Sequence, residues 1–271
     1  MTDEMGNPSE WAIEEVYEAR YLPEPVVPVL TAQDKDMRVA VGIPMERTMQ
    51  QEAFFGFVGI FQQGWGFAQL AYTRNDIARH KLAKFLLDGD YTHLLMLDSD
   101  HIHPPDIVAR LARWFQAYPN EVRVVGGLNF RRGAPYDPCA FVDPGDGQFH
   151  RLSEWEGHDE QGAPVRGAVS VDALGTGSMM IARDVFEQLP EADGWFDYSY
   201  ADRNGWPGTD MTFSAKCKAA GIELWCDTTC TSPHIGAMMI TEETYRVFLA
   251  QQMALAKQQR AAASMPQVVT I

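Results

Sequence analysis

Residues 92–100 read Thr-His-Leu-Leu-Met-Leu-Asp-Ser-Asp, an unbroken apolar run that ends in two carboxylates separated by one serine. Four successive apolar residues without polar alternation suit a strand covered on both faces, the kind found inside parallel sheets. In extended backbone, side chains two positions apart fall on the same side, so Asp98 and Asp100 face one way, with Ser99 between them. Ligands of open α/β sheets bind beyond the carboxyl ends of strands, where this pair falls. Asp-Xaa-Asp alone is common in solvated loops, so its weight here comes from the strand in front of it.

Working outward, the flanking segments alternate between strand-like and helix-like patterns. Upstream, residues 38–44 (RVAVGIP) read as an interior parallel strand, and the glycine-spaced segment 54–67 as a helix and a turn. Residues 67–72 (FAQLAY) read as a second strand. Residues 73–90 form an amphipathic helix with Ile77, Leu82, Phe85 and Leu86 near one face. Downstream, Pro104-Pro105 open a helix to about residue 119, and residues 122–128 (VRVVGGL) form a strand. Residues 130–170 are dense in Gly, Pro, Asp and aromatics and read as active-site loops with short strands. Strand, glycine turn, strand and helix follow over 169–189, a helix over 208–221, a strand over 222–229, and a terminal helix from Thr241. The expected organisation is an arm over 1–36, with a short helix from Ser9 to Arg20, an α/β domain over 37–237, and a helix and tail over 238–271.

With 271 residues and 46% hydrophobic content, one elaborated domain is expected. A net charge of -15 opposes broad attraction to phosphate backbones or anionic lipid. No apolar run approaches the roughly 20 residues needed to span a bilayer, and the acidic start MTDEMGNPSE lacks signal-peptide character, so a cytoplasmic protein is expected. Cys139, Cys217, Cys226 and Cys230 form no dense disulfide framework, and free thiols are expected.

A diphosphate leaving group concentrates negative charge, and a hard divalent cation bridging its oxygens eases the breaking of a sugar–diphosphate bond. The carboxylates of Asp98 and Asp100 supply oxygen ligands for such an ion.

Six blocks then occur in a telling order: RVAVGIP (38–44), TRNDIARHKLAKFLL (73–87), HLLMLDSDHIHPPDIVARL (93–111), ALGTGSMMIARDVFEQL (173–189), GTDMTFSAKCKAAGIELWCD (208–227) and PHIG (233–236). In that order the chain resembles GT-A-fold glycosyltransferases similar to the family 2 enzymes, over about residues 37–237. The resemblance implies a Rossmann-like α/β fold with a mixed, mainly parallel sheet flanked by helices. It implies a nucleotide-sugar donor, UDP-linked for preference, and Mn²⁺ or Mg²⁺ held by Asp98, Asp100 and His234. It places Pro44 and Glu46 near the nucleotide base, and Arg74 and Asn75 at a helix start near the diphosphate or Asp98. Gly175 and Gly177 would lie under the donor sugar or acceptor, and Asp210 would be the general base of an inverting transfer. Trp206 and Tyr200 are candidate stacking residues for an acceptor, with Asp202 a further acid.

Other chemistries also fit some of these residues. Cys226, Cys230 and His234, spaced by three residues each, offer ligand types for zinc in a non-catalytic module. A nucleotidyltransferase also sets paired carboxylates and a metal beyond a parallel sheet, but commonly carries a glycine-rich basic loop after its first strand, which GIPMERTMQQ (42–51) is not. The acceptor hydroxyl is open: carbohydrate, small molecule, protein, or a hydroxymethylated base in phage-type DNA modification. Arg131-Arg132 and the pair Arg110 and Arg113 are the local basic groups for that last case.

Overall fold

The structure is a computed structural model that describes residues 20–45, 48–71, 73–145, 147–153, 155–158, 163–198, 208–236 and 239–263. The expected helix over 9–20 and the residues Glu46, Tyr200, Asp202 and Trp206 lie outside them, apart from Arg20 itself. An eight-stranded sheet organises the molecule: β1 Tyr21–Pro23, β2 Val39–Met45, β3 Gly66–Ala71, β4 His93–Leu97, β5 Val124–Leu128, β6 Gly167–Val171, β7 Ser178–Ala182 and β8 Leu224–Thr231. Their spatial order is β1-β6-β8-β5-β7-β4-β2-β3. β2 pairs in parallel with both β3 and β4, and β5 in parallel with β8, while β7 runs against β4 and β5 and β6 runs against β1 and β8. The sheet is therefore mixed, with most strands pointing one way.

Helices cover both faces: α1 Gln51–Phe61, α2 Asn75–Asp88, α3 Ile107–Ala117, α4 Arg183–Gln188, α5 Thr209–Ala219 and α6 Glu242–Ala263. β4 shows why its sequence lacks alternation. Leu94 and Met96 enter the apolar cluster beneath α2, α4 and α5, and Leu95 and Leu97 enter the opposite cluster beneath α1 and α3. All four are fully buried. Burying each such side chain stabilises by roughly 1.5–3 kcal/mol, so this strand is fixed firmly up to the residue before Asp98.

Two expectations about helices need correction. The buried stripe of α2 is Ala78, Arg79, Leu82, Ala83 and Leu86, while Ile77 and Phe85 are exposed. Apolar spacing alone misassigned the face because a charged residue, Arg79, occupies the inward stripe. Helix α3 starts at Ile107 rather than at Pro104-Pro105; a turn that closes with Ile107 N–H donating to the Pro104 carbonyl (3.0 Å) comes first. The glycine-spaced segment does form a helix, α1, whose Gly56 and Gly59 leave room for the backbone of His103 and the ring of Pro105.

β8 carries an irregularity between Asp227 and Thr231. In regular extended backbone Cys226 and Cys230 would share a face; here Cys226 packs beneath α5 and Cys230 packs beneath α3. The two thiols consequently face different clusters, burial pushes both pKa values up, and they cannot join His234 around one zinc ion. Helix α6 is capped by the residue before it, Thr241, whose hydroxyl accepts from Thr244 N–H (3.2 Å), and Glu242 binds Arg166 (2.6 Å). No described helix is long and apolar enough to cross a membrane.

Candidate functional site

The carboxyl ends of β2 and β4 open into a cleft of about 340 Å³, lined by Pro44, Thr48, Gln50, Asn75, Asp98, Ser99, Asp100, Arg132 and His234. Its position follows from topology. β4 stops at Leu97, Asp98 N–H still donates to the Gly177 carbonyl (3.0 Å), and the chain then turns with both carboxylates at the mouth.

His234 reaches this place through backbone pairing. Ile102 N–H donates to the Pro233 carbonyl (2.9 Å) and Ile235 N–H to the Asp100 carbonyl (2.8 Å), so residues 233–235 lie antiparallel to 100–102. The result brings His234 Nε2 within 3.1 Å of Asp100 Oδ2, across 134 positions of chain. His234 Nδ1 lies 2.9 Å from the Phe130 carbonyl, which can only accept. Nδ1 therefore carries a proton for that carbonyl, and Nε2 is the ring nitrogen turned to Asp100, the one that would bind a metal after giving up its own proton.

His101 completes the group. Its Nδ1 lies 3.0 Å from Asp100 Oδ1, and its ring stacks on that of His234 with centroids 4.0 Å apart. Asp100, His101 and His234 offer ligand atoms that all lie within 4.8 Å of one another. Although partial burial alone would raise the Asp100 pKa, hydrogen bonds from His101 and His234 and their charges hold its carboxyl far below the usual range. Behind them His103, fully buried, has Nε2 2.9 Å from the Asp98 carbonyl and Nδ1 2.9 Å from Ser232 Oγ. Burial drives its pKa down to about 3, so it is a neutral brace.

Asp98 has a different environment. Arg79, only 6% exposed, donates from Nη2 to both of its oxygens (3.0 and 3.3 Å) and from Nη1 to Thr209 Oγ1. Burial disfavours the Arg79 cation, but the charges of Asp98 and Asp210 outweigh that and raise its pKa. Arg79 thus joins the end of β4 to the start of α5. Asp210, the next residue of α5, accepts from Met211 N–H (3.0 Å), and burial pushes its carboxyl up against the opposing pull of Arg79.

Of the residues singled out in the sequence, Pro44, Asn75, Asp98, Ser99, Asp100, Arg132 and His234 share this cleft. Arg74 does not reach Asp98; it forms a two-point pair with Asp76 (2.8 and 3.1 Å), on the surface at the start of α2. Gly175 and Gly177 are buried by the chain itself. A Cβ on Gly175 would sit 2.8 Å from that of Cys139, and one on Gly177 would sit 2.9 Å from Asn129 Nδ2 and 3.1 Å from His101 Nε2. Their lack of side chains thus serves packing around the histidines and Asp210. Arg79 and His101 escaped the sequence reading. A charged residue on the inward stripe of α2 was the available signal for Arg79; for His101, adjacency to Asp100 was the only sign.

No protein-family model matches the chain, and no curated protein matches it. Among solved structures it is similar to A197 from STIV (17% identity, 74% of this chain and 86% of that one, TM-score 0.51). It is more distantly similar to a CMP:2-keto-3-deoxy-manno-octonic acid synthetase complexed with CTP (12% identity, 82% and 99% covered, TM-score 0.43). A third similarity is to GalNAc-T7 with UDP, GalNAc and Mn²⁺ (13% identity, 80% and 48% covered, TM-score 0.43). At these identities the likeness to A197 speaks to fold alone.

Proposed function

We propose that this chain is a GT-A-type, metal-dependent glycosyltransferase that moves a sugar from a nucleoside diphosphate, UDP for preference, to a hydroxyl acceptor. The observation that carries this reading is the meeting of Asp100 and His234 on the cleft that Pro44, Asn75, Asp98 and Ser99 also line. One carboxylate and two imidazoles, with His234 Nδ1 already engaged by a carbonyl, fit a divalent ion that accepts nitrogen ligands, so Mn²⁺ suits the set better than Mg²⁺. Held by Asp100 and His234, such an ion would supply charge neutralisation for the diphosphate.

The protein's own groups take the remaining roles. Asp98, oriented by the two-point contact from Arg79, binds donor hydroxyls from the cleft wall. Asp210 receives the acceptor's proton as the acceptor oxygen bonds to the anomeric carbon and the bond from that carbon to the diphosphate oxygen breaks. Burial brings the carboxyl of Asp210 nearer the working pH, which favours a base. Attack opposite the leaving group inverts the anomeric centre.

The test is a panel of nucleotide sugars with Mn²⁺, scored for thermal stabilisation and for the small molecule released. Free nucleoside diphosphate is expected. In a parallel assay with nucleoside triphosphates and sugars, release of pyrophosphate would instead assign a nucleotidyltransferase. Asp100→Ala is expected to lose Mn²⁺ binding and at least about 100-fold of turnover, a loss of about 2.7 kcal/mol in transition-state stabilisation. Asp210→Asn is expected to keep donor binding and lose transfer. Full activity in either variant removes that residue from the mechanism.

A further inference from the structure

Arg132 stands at the tip of the loop that leaves β5. The base of that loop is clamped: Cys139 N–H donates to the Asn129 carbonyl (2.8 Å), Arg131 N–H to the Asp137 carbonyl (2.9 Å), and Phe130 bridges Pro138. Residues 131–134 at the tip are exposed. From there Arg132 Nη1 comes within 3.3 Å of Asp100 Oδ2, the same oxygen that faces His234 Nε2. Its side chain is 56% exposed, so the pair is weak and its geometry free to change.

Charge makes this placement informative. The described residues that line the cleft include Asp98 and Asp100 but only one arginine or lysine, and that is Arg132. Asp98 already has its own guanidinium, Arg79, buried and engaged on Thr209 as well. Among the described lining residues Arg132 is the cation left at the mouth, and it occupies the carboxylate assigned above to the metal. A guanidinium fork matches a phosphate as well as it matches a carboxylate.

Resting on that assignment, we propose that Arg132 is an exchangeable counter-ion: it neutralises Asp100 in the metal-free site and turns to the donor's diphosphate once a divalent cation has taken that carboxylate. The loop base keeps the residue beside the cleft, and the long exposed side chain covers the short distance between the two partners. The same side chain then opposes the metal in the empty protein and assists the nucleotide in the loaded one.

These two roles have opposite signs, which separates them from a structural contribution. Mn²⁺ binding to the full chain alone is measured by calorimetry or electron paramagnetic resonance. UDP binding, with GDP, ADP and CDP in parallel, is then measured at saturating Mn²⁺. Arg132→Ala is expected to bind Mn²⁺ about two- to fivefold more tightly and the preferred nucleoside diphosphate about tenfold or more weakly, with an unchanged melting temperature. Arg132→Lys should lie between, because it keeps the charge and loses the fork. Wild-type protein that binds Mn²⁺ and nucleotide, with an Arg132→Ala variant unchanged in either affinity or weakened for Mn²⁺, overturns the exchange. Wild-type protein that binds neither overturns the glycosyltransferase reading itself, and the exchange with it.

Discussion

Gly177 leaves no room for a side chain, and the reason lies in two residues far apart in the chain. A Cβ there would meet Asn129 Nδ2 and the ring of His101, and Asn129 is itself pinned by a hydrogen bond to Ser178 Oγ (3.0 Å). Gly177→Ala is expected to destabilise the fold by about 1–3 kcal/mol through this overpacking, and to weaken Mn²⁺ binding by displacing His101. Urea unfolding together with a Mn²⁺ titration checks it; an unchanged midpoint and affinity would mean that the ring yields freely. At this scale the sequence showed which residues could do chemistry, but not which would meet. Asp98, Asp100 and His234 could be singled out by type and order, whereas the choice of Arg79 over Arg74 as partner of Asp98 depends on which side of α2 faces inward.

At the scale of elements, α2 is the connection between the two halves of the site. Its Arg79 ties Asp98 at the end of β4 to Thr209 at the start of α5, and its Nε–H is buried with no hydrogen-bond partner among the described residues. Removing one member of a buried pair leaves the other charge uncompensated. Arg79→Met is therefore expected to cost roughly 2–4 kcal/mol, because Asp98 keeps some contact with solvent. Adding Asp98→Asn should recover part of that loss, and a double-mutant cycle on denaturant midpoints measures the coupling. Additive effects would show that the pair contributes nothing of its own. The strands and most helices were legible, since uninterrupted apolar runs and capping residues are local signals. The buried face of α2 was not, because burying a guanidinium contradicts the apolar pattern from which faces are read.

For the whole molecule, pH is the lever that reaches outside the site. His93, at the opposite end of β4 from Asp98, packs edge-on against Phe115, and burial pushes its pKa down to about 4 from an ordinary value near 6.5. As pH falls, the unfolded chain takes up this proton first. The stability that depends on a neutral His93 is thus complete above about pH 6.5 and is lost progressively down to about pH 4. Between pH 6.5 and 5 the loss is expected to be about 2 kcal/mol, and His93→Gln should flatten that slope in denaturant titrations at the two pH values. An equally steep slope in the variant would assign the dependence to other groups, His103 first among them. By itself the sequence determined the alternation of strands and helices, the position of Asp98 and Asp100 at a strand end, and the order of the blocks, because these follow from local periodicity and covalent spacing. Only the tertiary structure decided that residues 233–235 pair with 100–102, that β8 shifts register and separates Cys226 from Cys230, and that Arg79 and His101 surround the carboxylates. Those outcomes depend on strand order and on which faces are buried, and both are set by contacts between residues about 20 to 130 positions apart.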